Sequence, residues 1–85
     1  NITTEAKNLQ WRKSGNKITL KNPTPFFIYF KTITINGRDI TSSVNNIDAF
    51  SSKEVTLPAG INGSEIVWKV ATDNGGSGPA NTSSI

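Results

Sequence analysis

Short runs of strand-forming residues, each ended by turn-forming residues, follow one another along most of the chain, and no segment shows a helical apolar period. The runs cover residues 9–12, 17–21, 26–36, 54–57 and 65–72, with a weaker one at 40–50. A chain of 85 residues is long enough for one domain and too short for two. About seven short strands at this spacing are typical of a sandwich. The sequence therefore predicts an all-β antiparallel β-sandwich of about seven strands in a single domain.

Alternating apolar positions within these runs predict the core. Trp11 and Trp68 could instead be exposed aromatic platforms for a ligand, but their aliphatic neighbours favour packing. Tyr29 lies on the face opposite its apolar neighbours, so that it either packs against Phe27 or reaches the surface. The expected core comprises Trp11, Ile18, Leu20, Phe26, Ile28, Phe30, Val55, Leu57, Ile66, Trp68 and Val70.

The longest run changes its apolar parity partway along. Residues 26, 28 and 30 are apolar on one face, whereas Ile33 and Ile35 fall on the other. Because side chains alternate between the two faces of a strand, one regular strand cannot bury both sets. The pattern predicts a bulge or kink near Lys31 and Thr32, or a strand that leaves one sheet for the other.

A double proline precedes this run. Pro23 and Pro25 hold the backbone extended and cannot donate hydrogen bonds to a neighbouring strand. Together with Asn22 they are expected to form a corner of the sandwich and to fix the register of the strand that follows. The predicted role of this corner is scaffolding.

Composition argues against most catalytic and metal chemistry. The chain has no cysteine and no histidine, which removes the commonest general base, the commonest zinc ligands and most nucleophile–base pairs. The six acidic residues are scattered, without a spacing that suggests a matched acid/base pair. We therefore expect no enzyme activity, no catalytic residue, no cofactor and no metal site.

Charge and hydropathy argue against two further kinds of partner. The nine Lys and Arg residues give a net charge of +3 but are spread along the chain, so no nucleic-acid surface is expected. A weak preference for anionic partners or surfaces stays open. No apolar run is long enough to insert across a membrane, and residues 1–15 lack the apolar centre of a signal peptide. These residues alone predict either a cytoplasmic protein or a mature or trimmed fragment.

Three segments, in order, resemble one known family. "ITLKNPTPFFIYF" at residues 18–30 is similar to the "LTLTNPTPYYV" segment in the second domain of PapD-like periplasmic pilus chaperones. "IDAFSSKEVTLPAG" at 47–60 resembles that family's "APFSSxxxxLPxG", with Ala49 in place of proline. "IVWKVATDNGGSGP" at 66–79 resembles "VxWxxINDYGGxxP", with Asn74 in place of tyrosine. The resemblance covers about residues 5–80.

The resemblance implies a function and a location. Members of this family are built of two immunoglobulin-like sandwiches, bind pilus subunits in the periplasm, lend them a strand and deliver them to the outer-membrane usher. Residues 1–85 would be the carboxy-terminal domain, which forms one wall of the cleft between domains. The implied partners are pilus subunits, the usher and the amino-terminal chaperone domain, which supplies the lent strand and has no counterpart in these residues.

Asp73 has two interpretations. The segment "DNGG" at 73–76 lacks the repeated acids of a calcium loop and the Lys-Ser/Thr of a phosphate loop, so a turn is expected there. The resemblance implies that Asp73 forms an inter-domain ion pair with a basic residue of the first domain. The alternative is an Asp that only shapes the turn.

Two other functions compete with the chaperone interpretation. One is a stand-alone immunoglobulin-like structural or adhesive module of a bacterial surface protein. The other is a carboxylate-based hydrolase, which would require folding to bring together two acids among Asp48, Glu54 and Asp73.

Overall fold

A computed structural model describes residues 2–85 as two antiparallel sheets packed face to face. One sheet has the strand order β1-β2-β6, and the other has the order β4-β3-β7-β8 with β5 beside β3. The all-β immunoglobulin-like prediction is confirmed, with eight short strands in the described part of the chain. The elements are α1 (Ile2–Glu5), a 3₁₀ turn (Ala6–Asn8), β1 (Gln10–Ser14), β2 (Lys17–Lys21), β3 (Ile28–Ile35), β4 (Arg38–Asp39), α2 (Thr41–Val44), β5 (Asn46–Ile47), β6 (Ser52–Thr56), β7 (Glu65–Val70) and β8 (Asn81–Ser84).

Two-residue turns set the register at the end where β1 and β3 finish. Ser14 pairs with Lys17 across the first turn. In the second turn Asn36 has φ +47° and Gly37 has φ +84°, so that both residues occupy the left-handed region that a tight hairpin turn requires. Gly37 meets this requirement at little cost because it has no Cβ.

The core lies between the two sheets. The structure buries every residue of the expected core except Phe26, which is half-buried because it precedes β3 and packs against the margin of the core. Seven further apolar residues are buried with them: Ala6, Leu9, Ile33, Ile35, Ile40, Val44 and Ile47.

The parity change in β3 is a β-bulge. The pairing of β3 with β7 shifts register between Phe30 and Thr32, so Lys31 is the extra residue. Lys31 and Thr32 are both exposed, and the residues on either side return to the core. The strand stays in one sheet, because β5 and β7 pair with it in the same five-stranded sheet. Of the two alternatives, the bulge is therefore the one that occurs.

Two segments differ from the prediction. The weak run at 40–50 is not a strand but a turn of helix, α2, followed by the two-residue strand β5. Asp39 and Thr41 hold α2 in place, since the Thr41 N–H donates to the Asp39 carboxylate at 2.8 Å and the Ile33 N–H donates to the Thr41 hydroxyl at 2.9 Å. The residues after Gly78, where no strand-forming run was predicted, form β8 at the sheet edge.

Lys53 joins the two sheets at one side of the sandwich. It lies on the inward-facing side of the edge strand β6, opposite Leu20 of β2. Its Nζ donates to the carbonyl oxygens of Val44 and Asn46, both at 2.8 Å. The ammonium group therefore satisfies backbone acceptors at the carboxyl end of α2, and an inward-pointing charge also makes an edge strand a poor template for aggregation.

Candidate functional site

One end of the sandwich collects most of the residues that the sequence singled out. Strands β2, β5 and β7 finish at this end, whereas β1, β3, β6 and β8 begin there. It consists of α1, the corner at residues 22–27, the turn at 48–51 and the hairpin at 71–77. We call it the Asp73 end.

The corner is held together by the side chain of Asn22, which is only 1% exposed. Its amide nitrogen donates to the carbonyl oxygens of Phe26 at 2.7 Å and Asp48 at 3.0 Å. Its oxygen accepts from the backbone N–H of Thr24 at 3.0 Å and from the Thr24 hydroxyl at 2.6 Å. One buried amide thus satisfies four polar groups of two separate loops.

The prolines lie outside this hydrogen-bonded centre. Pro23 and Pro25 are exposed, while Thr24 between them is buried. The Thr24 hydroxyl also accepts from the Phe26 N–H at 3.3 Å. With φ fixed at each proline, the chain is held near the bent geometry in which Asn22 makes its contacts. The hydrogen bonds within residues 22–27 thus come from Asn22 and Thr24 rather than from the prolines.

Asp73 lies at the tip of the hairpin and is exposed. The Thr72 N–H donates to the Gly76 carbonyl at 3.0 Å, and the Thr72 hydroxyl donates to the Asn74 side chain at 2.7 Å. Within residues 2–85 the Asp73 carboxylate has no hydrogen bond or ion pair. Asn74 is thus the side chain that closes the turn, and the Asp73 charge faces outward.

The start of the described chain lies beside Asp73. Ile2, Thr3, Thr72, Asp73 and Asn74 line a shallow depression of about 500 Å³. A carboxylate at the rim of an otherwise uncharged depression is suited to receive a basic group from another domain or protein. Neither Asp48 nor Glu54 lines this depression, so the acids needed for a hydrolase do not meet there.

Two exposed aromatic rings lie near the same hairpin. Phe27 is 43% exposed and Tyr29 is 58% exposed, and their ring centroids lie 4.8 Å apart in an edge-to-face arrangement. The Ala71 N–H donates to the Tyr29 carbonyl at 2.8 Å, which ties this pair to the base of the hairpin. Tyr29 thus both packs against Phe27 and reaches the surface. In the sequence, the outward-facing position of the aromatic residue Tyr29 was the signal for this exposed pair.

The tryptophans are core residues. Trp68 is 1% exposed and its indole N–H donates to the Ala6 carbonyl at 2.9 Å. Trp11 is 7% exposed and its ring lies 5.5 Å from that of Trp68 and 5.7 Å from that of Phe30. The Trp11 indole N–H is buried without a partner in the described part of the chain. Neither ring is an exposed platform.

The Asp39 carboxyl is the acid whose pKa the local hydrogen bonds perturb. The pKa of Asp39 is lowered below its usual 3.8, chiefly by the backbone N–H of Thr41 and then by the Thr41 hydroxyl. Among residues 2–85, no cluster of His, Cys, Asp or Glu side chains has the composition to hold a metal ion. Within the same range, no helix has the length and apolar character needed to cross a membrane.

The chain is similar to known proteins both in sequence and in fold. Residues 4–82 match the family described as "Pili assembly chaperone PapD, C-terminal domain". The chaperone protein AggD of Escherichia coli is 38% identical over 71 residues, which are 84% of this chain and 27% of AggD. PsaB of Yersinia pestis is 34% identical over 86 residues, covering 87% of this chain and 32% of PsaB.

Solved structures agree with the family match. A structure of the Salmonella enterica SafA pilin in complex with the SafB chaperone matches with a TM-score of 0.89 and 31% identity, over 99% of this chain and 39% of that one. The Escherichia coli chaperone DraB matches with a TM-score of 0.84 and 34% identity, over 99% of this chain and 39% of that one. The chain belongs to the family of PapD-type pili assembly chaperones, as their carboxy-terminal domain. It spans roughly a quarter to a third of the length of the relatives AggD and PsaB.

Proposed function

We propose that the chain is the second domain of a two-domain periplasmic chaperone that binds pilus subunits and delivers them to the outer-membrane usher. The observation that carries this proposal is the match of residues 4–82 to a domain of chaperones about three times as long. The SafA pilin in the matched complex supports a pilus subunit as the partner. The domain itself is proposed to be non-catalytic.

The proposed task of this domain is to form one wall of the cleft. In this proposal an amino-terminal domain lends its strand to an incomplete subunit, which hides an open sheet edge from aggregation. The Asp73 end faces that first domain, with Asp73 paired to one of its basic residues. The exposed pair of Phe27 and Tyr29 supports this orientation, because exposed aromatic side chains near one end of a domain are typical of an interaction surface.

The role proposed for Asp73 is tested by comparing the free energy lost in Asp73→Asn between the full-length protein and the 85-residue chain. In the full-length protein, Asp73→Asn is expected to break a partly buried ion pair, which costs up to about 3–5 kcal/mol when one partner is left uncompensated. In the 85-residue chain alone, the same change should alter the free energy of unfolding by less than about 0.5 kcal/mol, because the carboxylate has no partner there. An equal loss in both proteins would assign Asp73 to the turn instead.

Co-expression tests the proposed function as a whole. The full-length protein would be produced in a periplasm together with a tagged pilus subunit encoded beside it, and the subunit would be purified. Wild type is expected to co-purify with the subunit, and Asp73→Asn is expected to lower the recovered complex. Asp48→Asn is the matched control, since Asp48 is also an exposed acid at this end. Failure of the wild-type protein to bind any co-encoded subunit would refute the chaperone proposal and favour a stand-alone structural or adhesive module.

A further inference from the structure

The outward face of the three-stranded sheet carries a groove that the chaperone proposal does not use. The groove has a volume of about 400 Å³. It lies across two neighbouring rows of cross-strand residue pairs. One row consists of Gln10, Lys21 and Ser52, and the other contains Arg12 and Thr19. The buried indole of Trp11 also contributes to its lining. We call it the β1–β2–β6 groove, lined by Gln10, Trp11, Arg12, Thr19, Lys21 and Ser52.

The polar side chains of the groove are free to bind a ligand. The five polar lining residues are exposed, and within residues 2–85 none of their side chains has a hydrogen bond or ion pair. They include a guanidinium, an ammonium, an amide and two hydroxyls, and the lining contains no carboxylate. Every one of these side chains can donate a hydrogen bond.

The acid closest in register is already engaged. Glu54 pairs with Thr19 across the sheet, and its carboxylate lies 3.5 Å from the Lys17 ammonium in the next row. Arg12 and Lys21 are diagonal neighbours on β1 and β2, which places their Cβ atoms less than about 8 Å apart. The Glu54 carboxylate is directed towards Lys17, so it does not neutralise Arg12 and Lys21. The groove therefore has a local excess of positive charge.

We propose that the β1–β2–β6 groove binds a small oxyanion of the phosphate class. The Arg12 guanidinium offers a planar fork that matches two oxygens of such a group, and the Lys21 ammonium supplies a second charge from the neighbouring strand. Gln10, Thr19 and Ser52 supply neutral donors around it. This site is independent of the proposed chaperone function.

Titration with inorganic phosphate tests the site. The ¹⁵N-labelled 85-residue chain would be titrated at constant ionic strength, with chloride replaced by phosphate. Amides of β1 and β2 around the groove are expected to shift saturably, with a Kd of about 1 mM. Arg12→Gln combined with Lys21→Gln should weaken binding at least about tenfold. Both side chains are exposed, so the thermal unfolding transition of the double variant should stay within a few degrees of wild type.

Lys69→Gln is the matched control, because Lys69 is an exposed lysine on β7 of the other sheet. It is expected to keep the wild-type Kd to within about twofold, since only the overall charge changes. Shifts that do not saturate, or an equal loss of affinity in Lys69→Gln, would overturn the proposal and show only a general counterion effect.

Vesicles distinguish a soluble phosphate compound from a lipid headgroup. Phosphatidylglycerol vesicles that sediment the wild-type chain but not the double variant would identify a headgroup, provided that phosphatidylcholine vesicles sediment neither. Saturable binding of free phosphate without vesicle binding would identify a soluble ligand. Absence of binding to both probes would refute the site.

Discussion

Replacing Asn22 should destabilise the domain far more than the small size of the asparagine side chain suggests. In Asn22→Ala, the Thr24 N–H loses its buried acceptor, the Phe26 carbonyl loses its donor, and the Asp48 carbonyl keeps only the Ser51 hydroxyl as a donor. A buried polar group left without a partner costs about 1–3 kcal/mol, and the two carbonyls are only partly buried. Allowing for water at these carbonyls, we expect a loss of about 3–5 kcal/mol, a large part of the stability of a small domain.

The assay is urea unfolding followed by tryptophan fluorescence, with the slope of the transition checked for a change in two-state behaviour. Ser51→Ala is the control in the same corner, since it removes one exposed hydrogen bond, 2.7 Å, to the Asp48 carbonyl. It should cost about 1 kcal/mol or less. If Asn22→Ala were no worse than Ser51→Ala, Asn22 would not be the centre of the corner.

Asn22→Asp separates the donor from the acceptor. The aspartate keeps an oxygen for Thr24 but places a carboxylate against the carbonyls of Phe26 and Asp48. Burial and these carbonyls should raise the pKa of the new carboxyl in the folded state above its unfolded value. Destabilisation should therefore be greatest above the folded pKa and should diminish as pH falls towards the unfolded value. A pH-independent difference from wild type would contradict this reasoning.

Three further changes have defined outcomes. Trp68→Phe should cost about 1–3 kcal/mol more than Trp11→Phe in urea unfolding, because only Trp68 donates to a buried carbonyl, that of Ala6, and equal losses would refute this difference. Lys53→Met should lower the free energy of unfolding by about 1.5–3 kcal/mol through two lost charge-assisted hydrogen bonds, and an unchanged value would show that these bonds contribute nothing. In an NMR titration, the Asp39 carboxyl should titrate below its usual pKa of 3.8. Its contribution to the free energy of unfolding is then present above the unfolded-state pKa and is lost as pH falls through the lower folded-state pKa. Asp39→Asn should remove that pH dependence.

The fold was predictable where local pattern and buried surface agree. The parity change in β3 located its bulge, because a one-residue insertion is the simplest way to return Ile33 and Ile35 to the core. The turn at Asn36 and Gly37 was also predictable from the sequence, since both residues tolerate positive φ.

Two elements were missed for different reasons. Ile40, Val44 and Ile47 are buried at helix-like spacings of four and three, but α2 is a single turn and too short for a periodic signal. The edge strand β8 has the sequence Asn-Thr-Ser-Ser and is only half-buried on one face, so no apolar alternation marks it.

The candidate site was predictable only in part. Asn22 came from the corner predicted at the two prolines and Asp73 from the family resemblance, whereas the turn-closing role of Asn74 depends on its contact with Thr72. In the sequence Lys53 is one of nine cations spread along the chain, and nothing in the sequence shows that its ammonium reaches across to α2. Such contacts between distant segments depend on tertiary geometry and produce no periodic pattern in the sequence.

The central claim is that this domain follows a strand-lending domain in one chaperone, and the most direct measurement is the coding sequence upstream of residue 1. The account predicts a secretion signal and then one in-frame sandwich domain of about 100–150 residues that ends in a strand of alternating apolar residues. A start codon immediately before residue 1, or a series of modules resembling this one, would contradict the account.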